Sequence, residues 1–448
     1  MARSSFTRSG ISRRRFVRDT TLAAAATAVS WRMVHGALSD DFQVKIGLIG
    51  CGGRGTGAVL NALGAATHVI YPSAGYHTED VAENAAVARP NIRVAALADV
   101  FPDRLQACRA QLEKLNIRIA DEHCFTGFDA YKQLLAVQEI NYVILAEPPH
   151  FRPAHLMAAI EAGKNVFMEK PAAVDVPGVK LVMQAGELAA QKGLGIAAGT
   201  QRRHQLSYRE TIRRIQDGAI GEIIYAKAYW NGGEIWVIER RPEWSDMEWQ
   251  LRNWNYFTWL SGDHIVEQHV HNLDVMNWVI GTHPIRAVSG IGGRQVRTDP
   301  KYGHIFDHFA VEFEYPNGVT VFSQCRQING CQNIVGEEVI GSKGRSDCAQ
   351  SIQAAGERWR YRGENPNPYE REHEDLIASI REGKPINEAK NVAESTMTGI
   401  IGREAVYSGQ AISWEDAMES TTRLGPERYE FGPLPVPPVA MPGRYRFT

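Results

Sequence analysis

The stretch VKIGLIGCGGRGTGAVLNAL, residues 44–63, decides the fold of the first part of the chain. Its first six residues are mostly apolar and have the length of a β-strand, and its last residues have the Ala/Leu-rich character of a helix. Between them, Gly50, Gly52 and Gly55 follow the spacing GxGxxG. In that context the glycines allow a tight turn and a close approach of the backbone to a pyrophosphate, and the helix N-terminus supplies N–H donors. The stretch therefore predicts a dinucleotide site, with contacts from Gly50, Gly52, Gly53, Arg54 and Gly55.

A second predicted strand, IRVAALAD (92–99), ends in Asp99. A carboxylate at that strand end can accept hydrogen bonds from the adenosine ribose diol and would repel a 2′-phosphate, which favours NAD and leaves NADP as the alternative. The usual separation from the glycines is about 20 residues. Here it is much longer, because residues 64–91 intervene. We interpret those residues as an insertion after the first helix.

Strands and helices then alternate along the chain. The segments NYVILAE (141–147) and NVFME (165–169) have strand character, and amphipathic helices are predicted to begin at Pro102, Phe128 and Arg152. This alternation is typical of a doubly wound parallel sheet, whose ligand binds at the carboxyl ends of the strands.

Lys170 stands at this predicted ligand edge, between Glu169 and Pro171. Proline disfavours a helical conformation for the residue before it, so Lys170 is expected in an extended or turn conformation. A lysine there can donate to a substrate hydroxyl and stabilise developing alkoxide charge beside a nicotinamide. The alternative is a surface lysine in a loop. The predicted cofactor contacts at the strand ends are Asp99, Pro148, Glu169 and Lys170.

Four motifs occur in order at suitable distances: GLIGCGGRG (47–55), EAGKNVFMEKP (161–171), QDGAIGEI (216–223) and Glu-xxx-His-xx-Asp (267–274). Together they resemble the Gfo/Idh/MocA family, the relatives of glucose–fructose oxidoreductase and inositol dehydrogenase. The glycine motif alone is unspecific, but AGKxVxxEKP after a Rossmann half is specific. The resemblance covers the chain from about residue 43 to residue 415.

The resemblance implies a two-domain enzyme. An α/β Rossmann domain with a doubly wound parallel sheet would precede an α+β domain with an open, mostly antiparallel sheet, which covers the cofactor and often forms oligomer contacts. Members move a hydride between NAD(P) and a sugar-like carbinol, with Lys170 and His271 acting at the reacting hydroxyl. The expected boundaries are 43–171 for the Rossmann domain, 172–368 for the substrate and oligomerisation domain, 369–415 for helices that return to the first domain, and 432–448 for a proline-rich tail.

Three positions depart from the commoner family pattern. Glu267 stands where Asp is usual, His269 stands where Gly is usual, and Glu147 replaces the Thr of a Thr-Pro pair. The last change brings a carboxylate towards the expected nicotinamide edge. These departures leave the fold prediction intact and bear on the substrate and the fine geometry.

The segment GDHIVEQHVHNLDVMNW (262–278) carries the predicted catalytic helix. In a continuous helix His264, Glu267, His271 and Asp274 share one face. Glu267 is then one turn from His271, where a carboxylate favours the protonated imidazole and fixes its orientation for general acid/base catalysis. One alternative is a metal site, although the spacing is not HExxH and the predicted chemistry needs no metal. The other is a polar helix face.

Aromatic residues concentrate before this helix. Seven of the ten tryptophans lie between residues 230 and 278. Aromatic faces stack on the C–H faces of sugars, so the cluster predicts a carbohydrate substrate. Each aromatic residue has a core or interface role as its alternative, and each charged one an ordinary surface role. The predicted substrate contacts are Arg202, His204, Trp254, Tyr256 and Asp274.

The N-terminus, SRRRFVRDTTLAAAATAVSW (12–31), has a basic front followed by a mild apolar run. It resembles a twin-arginine export signal, here residues 1–36, and predicts delivery to the periplasm by the twin-arginine machinery. The alternative is a basic tail with a short helix. Because little free NAD exists outside the cytoplasm, we expect the nucleotide to be bound tightly and recycled in place.

The expected reaction has two alternatives. In the first, transient oxidation followed by elimination would make the protein an NAD-dependent glycoside hydrolase or lyase. In the second, the protein would bind a nucleotide and have no catalytic activity.

The composition limits the classes of partner that the protein could bind. The net charge is −2 with mixed signs, which gives no basic patch for nucleic acid, and no apolar stretch predicts a membrane span. The family resemblance implies an exposed sheet in the second domain and, through it, a homo-oligomer, a dimer or a tetramer.

Overall fold

The structure is a computed structural model that describes residues 42–70 and 78–448. The predicted export signal, residues 1–36, lies outside the described residues. Within the residues that it describes, no helix has the length and the apolar character to cross a membrane.

The first domain is built on strands that alternate with helices. Its elements are β1 (Val44–Ile49), α1 (Gly53–Leu63), β2 (Thr67–Ile70), β3 (Thr78–Val81), β4 (Ile92–Asp99), α2 (Pro102–Glu113), a 3₁₀ turn (Asp121–His123), β5 (Cys124–Thr126), α3 (Ala130–Ala136), β6 (Tyr142–Leu145), α4 (Arg152–Glu161), β7 (Asn165–Met168), α5 (Val176–Lys192) and β8 (Ile196–Ala198). Six strands form one parallel sheet in the order β5-β4-β1-β6-β7-β8. Nearly every residue of β1 is buried, because helices cover both faces of such a sheet.

The first domain has two features beyond its minimal pattern of alternating strands and helices. Residues 64–91 contain the antiparallel pair β2–β3, which lies outside the parallel sheet and beside α1. The backbone N–H of Val81 donates to the side chain of Gln111 in α2 at 3.1 Å. At the other edge, α5 and β8 carry the sheet on to Ala198, past the boundary that we predict at residue 171.

The second domain is built on an open sheet. Its elements are a 3₁₀ turn (Gln201–His204), α6 (Leu206–Gln216), β9 (Ile223–Gly232), α7 (Asp246–Arg252), a 3₁₀ turn (Trp254–Tyr256), α8 (Thr258–Ser261), α9 (His264–Glu267), α10 (Val270–Ile280), β10 (Arg286–Gly293), a 3₁₀ turn (Pro300–Tyr302), β11 (His308–Glu314), a 3₁₀ turn (Pro316–Gly318), β12 (Thr320–Gln327), β13 (Ile334–Gly341), β14 (Gly344–Ser346), β15 (Ser351–Ala354) and β16 (Glu357–Arg360). The chain ends with α11 (Pro368–Arg381), α12 (Ala389–Ser408), β17 (Ile412–Ser413) and α13 (Trp414–Met418).

This sheet has nine strands in the order β16-β15-β14-β13-β9-β12-β11-β10-β17. Only the pair β9–β12 is parallel, and the other neighbours are antiparallel. The predicted fold class, a Rossmann domain followed by a domain with an open and mostly antiparallel sheet, is confirmed.

The last helices join the two domains. Helix α11 packs against α1 and β8 of the first domain. Helix α12 is buried over most of its length, because it packs against α5 on one side and against α10, β10 and β11 on the other.

The C-terminal segment, residues 419–448, has no helix or strand and runs over both domains. The backbone N–H of Leu424 donates to Asp175 in the first domain at 2.9 Å, and that of Leu434 donates to Asp246 in the second at 3.0 Å. The segment therefore bridges the two domains on the outside of their junction.

Candidate functional site

The glycine turn between β1 and α1 has the geometry that a dinucleotide needs. Gly50 has a φ of 93°, and a Cβ atom there would lie 2.5 Å from the backbone nitrogen of Glu147. A Cβ atom on Gly55 would lie 1.8 Å from the oxygen of Gly50. No described side chain caps the N-terminus of α1 at Gly52, so its N–H groups remain open to an anionic ligand.

A cleft of about 1080 Å³ lies between the carboxyl edge of the parallel sheet and the second domain. Of our predicted contacts, it is lined by Gly50, Gly52, Gly53, Arg54, Asp99, Pro148 and Trp254. The second domain closes it with Trp236, Ile238, Leu251 and Trp254. The protein's residues thus fit an NAD-like group.

Asp99 supports the glycine turn as well as lining the cleft. One carboxylate oxygen accepts from the backbone N–H of Cys51 at 2.6 Å, and the other accepts from that of Phe101 at 2.8 Å. Burial raises the pKa of Asp99, against the opposing charge of Arg104. Arg104 also lines the cleft, and our sequence analysis missed it. A guanidinium beside the predicted ribose site is compatible with a 2′-phosphate and keeps NADP as the alternative.

Arg54 and Glu169 join the glycine turn to the turn after β7. The Arg54 Nε atom lies 2.5 Å from Glu169 Oε1. Burial opposes ionisation of Glu169, but the charges of Arg54 and Lys170 hold its pKa below its ordinary value. A Cβ atom on Gly199 would lie 2.4 Å from the Glu169 carboxylate, so this carboxylate is packed beneath the strand ends. Glu169 is not among the residues that line the cleft.

Lys170 contacts the second domain at Glu267. The Nζ atom of Lys170 lies 2.8 Å from Oε1 of Glu267 and 2.8 Å from the backbone oxygen of Glu267. The guanidinium of Arg152, itself buried, donates to the backbone oxygens of Glu147 and Pro171 and so links the turns after β6 and β7.

His271 is buried beside this lysine. Burial drives the pKa of His271 well below its usual value, and the charges of Lys170 and Arg202 act in the same direction. The ring stacks on Trp230, with 5.6 Å between the centroids. Its Nδ1 atom has no hydrogen-bond partner among the described residues. A neutral imidazole with an unused ring nitrogen can accept a proton, although the lowered pKa makes it a weaker base than an exposed histidine.

The predicted continuous helix is wrong. Helix α9 ends at Glu267 and α10 begins at Val270. Between them the regular hydrogen bonding is interrupted, because the N–H of His269 donates to the oxygen of His264, five residues back instead of four. Glu267 therefore pairs with Lys170, and no bond joins it to His271, whose imidazole is held neutral instead of protonated.

The four side chains that we placed on one face do not gather. His264 packs against Phe309, with 5.0 Å between ring centroids, and Asp274 binds Arg203 through both oxygens. Within residues 42–70 and 78–448, no three His, Cys, Asp or Glu side chains come together in a way that could hold a metal ion. His269, the residue in the usual glycine position, is buried against Ser323, at 2.7 Å between Nε2 and the hydroxyl.

Most of the predicted substrate contacts lie in buried ion pairs. Arg202 pairs with Glu337 at 2.5 Å. Hydrogen bonds to Asp375 and Glu388 overcome the effect of burial on His204 and raise its pKa to about 9. Asp274 is engaged by Arg203 and also accepts from Ser395. The side chain of Tyr256 is buried beneath the cleft. Trp254 alone among these five residues lines the cleft.

Glu147 lines the cleft next to Pro148, at the edge where its sequence position suggested a carboxylate. Two features of the cleft were missed from the sequence. His155 and Tyr131 line it beside Glu147. Phe101 and Phe128 also line it, and the C-terminal segment lies against them. Neither feature has a local sequence pattern, since each brings together residues from separate elements.

The first domain is a Rossmann domain with an open glycine turn, and the second has a mixed sheet and meets the first through Lys170 and Glu267. Together they define a two-domain dinucleotide-binding protein. Two family models match the chain, one in each domain. Residues 44–199 match the model described as "Oxidoreductase family, NAD-binding Rossmann fold", and residues 208–346 match the GFO/IDH/MocA C-terminal domain. The chain belongs to the Gfo/Idh/MocA oxidoreductase family, which confirms the resemblance seen in its motifs.

Curated relatives are similar over part of their length. An inositol 2-dehydrogenase 3 of Saccharopolyspora erythraea is 29% identical over 194 residues, which are 42% of this chain and 49% of that protein. A protein named glycosyl hydrolase family 109 protein 1, from Bacteroides fragilis, is 23% identical over 249 residues, which are 55% and 47% of the two chains. The chain thus spans about half the length of the curated relatives that it matches.

Solved structures share the fold. An aldose-aldose oxidoreductase from Caulobacter crescentus, complexed with glycerol, has a TM-score of 0.61 and 17% sequence identity, over 83% of this chain and 99% of that one. A scyllo-inositol dehydrogenase from Lactobacillus casei has a TM-score of 0.60 and 19% identity, over 84% and 99%.

Proposed function

We propose that the protein is an NAD(P)-dependent oxidoreductase that moves a hydride between nicotinamide and a secondary hydroxyl or carbonyl of a sugar, cyclitol or glycoside. The observation that carries the proposal is the meeting of Lys170 and Glu267 across the domain junction, beside buried His271. None of the three lines the cleft, but Lys170 is joined to the glycine turn through Glu169 and Arg54.

The roles of these residues follow from their contacts. Two of the three ammonium donors of Lys170 are used by Glu267, so one remains to bind a substrate oxygen. Neutral His271 accepts the hydroxyl proton as the carbinol is oxidised and returns it in the reverse direction. Glu267 orients the lysine and, in this geometry, does not touch the imidazole.

The cofactor would lie along the carboxyl edge of the sheet. Its pyrophosphate would rest on the open N–H groups after Gly50 and Gly52, and its adenosine ribose would face Asp99. When bound, the nicotinamide supplies the hydride acceptor. Arg54 and Glu169 hold the glycine turn against the turn that carries Lys170, so the two parts of the site stay in register.

The C-terminal segment supports retention of the nucleotide. Phe431 stacks on Phe101 and packs on Phe128, which line the cleft, with centroid distances of 6.0 and 5.3 Å. Tyr429 lies against Phe151 and bonds to His150 at 2.8 Å. A segment in this place would slow release of a bound dinucleotide. We therefore propose that the exported protein keeps its nucleotide and recycles it between two carbonyl or carbinol substrates.

Export and assembly belong to the same proposal. Residues 12–18 resemble a twin-arginine signal, which directs folded proteins to export, and this resemblance supports the proposal that the enzyme is periplasmic. The apolar side chains of Ile224, Ile291 and Val335 are exposed on strands of the nine-stranded sheet, which supports a homo-oligomer formed through that sheet. Sedimentation of the purified protein tests the oligomer, and a monomer at micromolar concentration would contradict it.

The first experiment identifies the nucleotide and the substrate class together. The purified, folded protein is heat-denatured, and any released nucleotide is identified by chromatography and absorbance. The measurement is repeated after incubation with sugars, cyclitols and glycosides. We expect bound NAD that one class converts to NADH. Absence of nucleotide would contradict retention, and readily exchanging nucleotide would contradict the closed cycle.

The second candidate is an NAD-dependent glycoside hydrolase or lyase that acts by transient oxidation and elimination. Similarity to the glycosyl hydrolase family 109 protein favours it. Cleavage of a glycoside while the bound nucleotide remains oxidised would select this candidate. His271→Ala separates either enzyme from a binding protein, because an enzyme loses turnover and keeps its nucleotide.

A further inference from the structure

Glu147 holds an unused hydrogen-bond acceptor at the cleft. It follows β6, is 7% exposed and lines the cleft beside Pro148. One carboxylate oxygen, Oε1, lies 3.1 Å from His155 Nδ1. The other, Oε2, is buried and has no hydrogen-bond partner among the described residues. A buried carboxylate oxygen without a donor is costly, so its presence beside a ligand cleft points to a donor on the ligand.

His155 holds this carboxylate in one orientation. The imidazole stacks on Tyr131, with 4.0 Å between the ring centroids. It also stacks on Phe151, one helical turn before it in the chain. Arg152, the nearby cation, donates to the backbone oxygens of Glu147 and Pro171, and neither of those bonds engages the carboxylate. His155 therefore positions the Glu147 carboxylate, and the Oε2 atom of Glu147 has no hydrogen-bond partner among the described residues.

The sheet order identifies which part of a dinucleotide would lie there. Strand β6 neighbours β1 on the side opposite to β4. The glycine turn after β1 holds the pyrophosphate, and Asp99 at the end of β4 marks the adenosine side. The backbone of Glu147 is in contact with Gly50, since a Cβ atom there would lie 2.5 Å from its nitrogen. Glu147 would therefore lie on the nicotinamide side of a bound dinucleotide, beside its pyrophosphate.

We propose that Glu147, oriented by His155, accepts hydrogen bonds from the hydroxyl groups of the ribose attached to nicotinamide. This assignment rests on the proposed function, because it requires a dinucleotide in the cleft. A vicinal diol offers two O–H donors to one carboxylate, and a carboxylate is the acceptor that binds such donors most strongly. Glu147 is then a cofactor-binding residue, and His155 is a positioning residue.

The test compares two ligands that differ in that ribose. ADP-ribose contains it and ADP does not. Binding of each is measured by calorimetry on protein freed of co-purified nucleotide with activated charcoal. Glu147→Gln is expected to weaken ADP-ribose binding about tenfold or more, as for a lost hydrogen bond to a charged group, and to leave ADP binding within about twofold. The matched control, Glu161→Gln at the exposed end of α4, should change neither.

His155→Ala provides the second measurement. It should weaken ADP-ribose binding in the wild-type background and have no further effect beside Glu147→Gln, because the two residues act through one carboxylate. Equal weakening of ADP and ADP-ribose by Glu147→Gln, or unchanged binding of both, would overturn the assignment. If the wild-type protein binds none of NAD, ADP-ribose and ADP, the result would instead contradict the proposed function.

Discussion

The Nζ atom of Lys170 lies 2.8 Å from the Oε1 atom of Glu267, across a separation of 97 residues in the chain. The lysine belongs to the turn after the fifth strand of the parallel sheet, and the glutamate ends a short helix of the second domain. The pair fixes the ammonium at the domain junction, beside the buried imidazole of His271. The relative placement of the two domains therefore sets the position of the proposed hydrogen-bond donor to the substrate.

Lys170→Met should reduce turnover by about 10²–10⁴-fold, the range for loss of a positioned acid or base. Its nucleotide content should stay the same, because the glycine turn and its support are untouched. Turnover and released nucleotide are measured on the same preparation. Lys390→Met, at a largely exposed lysine of α12, serves as the control and should behave like the wild type. Undiminished turnover in Lys170→Met would remove the lysine from the mechanism.

Gly55→Ala should abolish nucleotide binding, because the new Cβ atom would lie 1.8 Å from the oxygen of Gly50 and displace the turn. Thermal unfolding with and without NAD measures this, since a ligand that binds only the folded state raises Tm. The variant should show no NAD-dependent increase. Gly232→Ala, where the Cβ atom would meet nothing within 4 Å, should keep the wild-type increase. An intact increase in Gly55→Ala would place the nucleotide elsewhere.

Phe431→Ala should release bound nucleotide roughly tenfold faster, because it removes two aromatic contacts worth about 0.5–1.5 kcal/mol each. The contacts are those with Phe101 and Phe128 at the cleft. Release is followed by the fluorescence of NADH as it is displaced by excess NAD. Val439→Ala, an exposed position in the same segment, is the control. Equal release rates in the wild type and Phe431→Ala would show that the segment does not retain the cofactor.

Asp274→Asn should destabilise the fold by about 3–5 kcal/mol, because it leaves the guanidinium of Arg203 buried without its charged partner. Denaturant unfolding measures this change. Asp217→Asn, which breaks the exposed pair of Asp217 with Arg213, should change stability little. If Asp274 instead contacts substrate, as its sequence position suggested, the variant would keep its stability and raise KM.

Buried neutral histidines should make the fold sensitive to acid. Burial lowers the pKa of His150 and of His304 to about 4. Below about pH 6.5 the unfolded chain binds protons that these residues do not bind in the folded state, so stability is full above that pH and is lost as the pH falls towards 4. His304→Asn should reduce the decrease in Tm between about pH 7 and pH 5. His68→Asn, at an exposed histidine, should leave that decrease unchanged.

The parts of the fold that are local in sequence were predictable. The glycine turn, the strand that ends at Asp99 and the turn that carries Lys170 each depend on a short pattern, and the parallel sheet follows from the alternation of strands with helices. The helix break at Gln268 was not predictable, because residues 262–278 read as one amphipathic helix. Side chains at the break form hydrogen bonds with residues that are distant in sequence, as His269 does with Ser323.

The same limit applies to the charged residues around the site. Arg202, His204 and Asp274 look like substrate contacts because they stand near catalytic motifs. Their partners Glu337, Asp375 and Arg203 neutralise them in the folded chain, and two of these partners lie more than a hundred residues away. A single charge in a sequence predicts polarity; only the fold decides whether a ligand or another side chain satisfies it.

The position of the C-terminal segment has a consequence for the order of events during synthesis. Residues 419–448 follow both domains in the chain, so a ribosome completes the cleft before it makes the segment that packs on two of its lining residues, Phe101 and Phe128. If the nucleotide is retained as we propose, cytoplasmic NAD would enter the cleft during that interval. Docking of the segment would then complete its retention, and the cofactor and the polypeptide would leave the site of synthesis together.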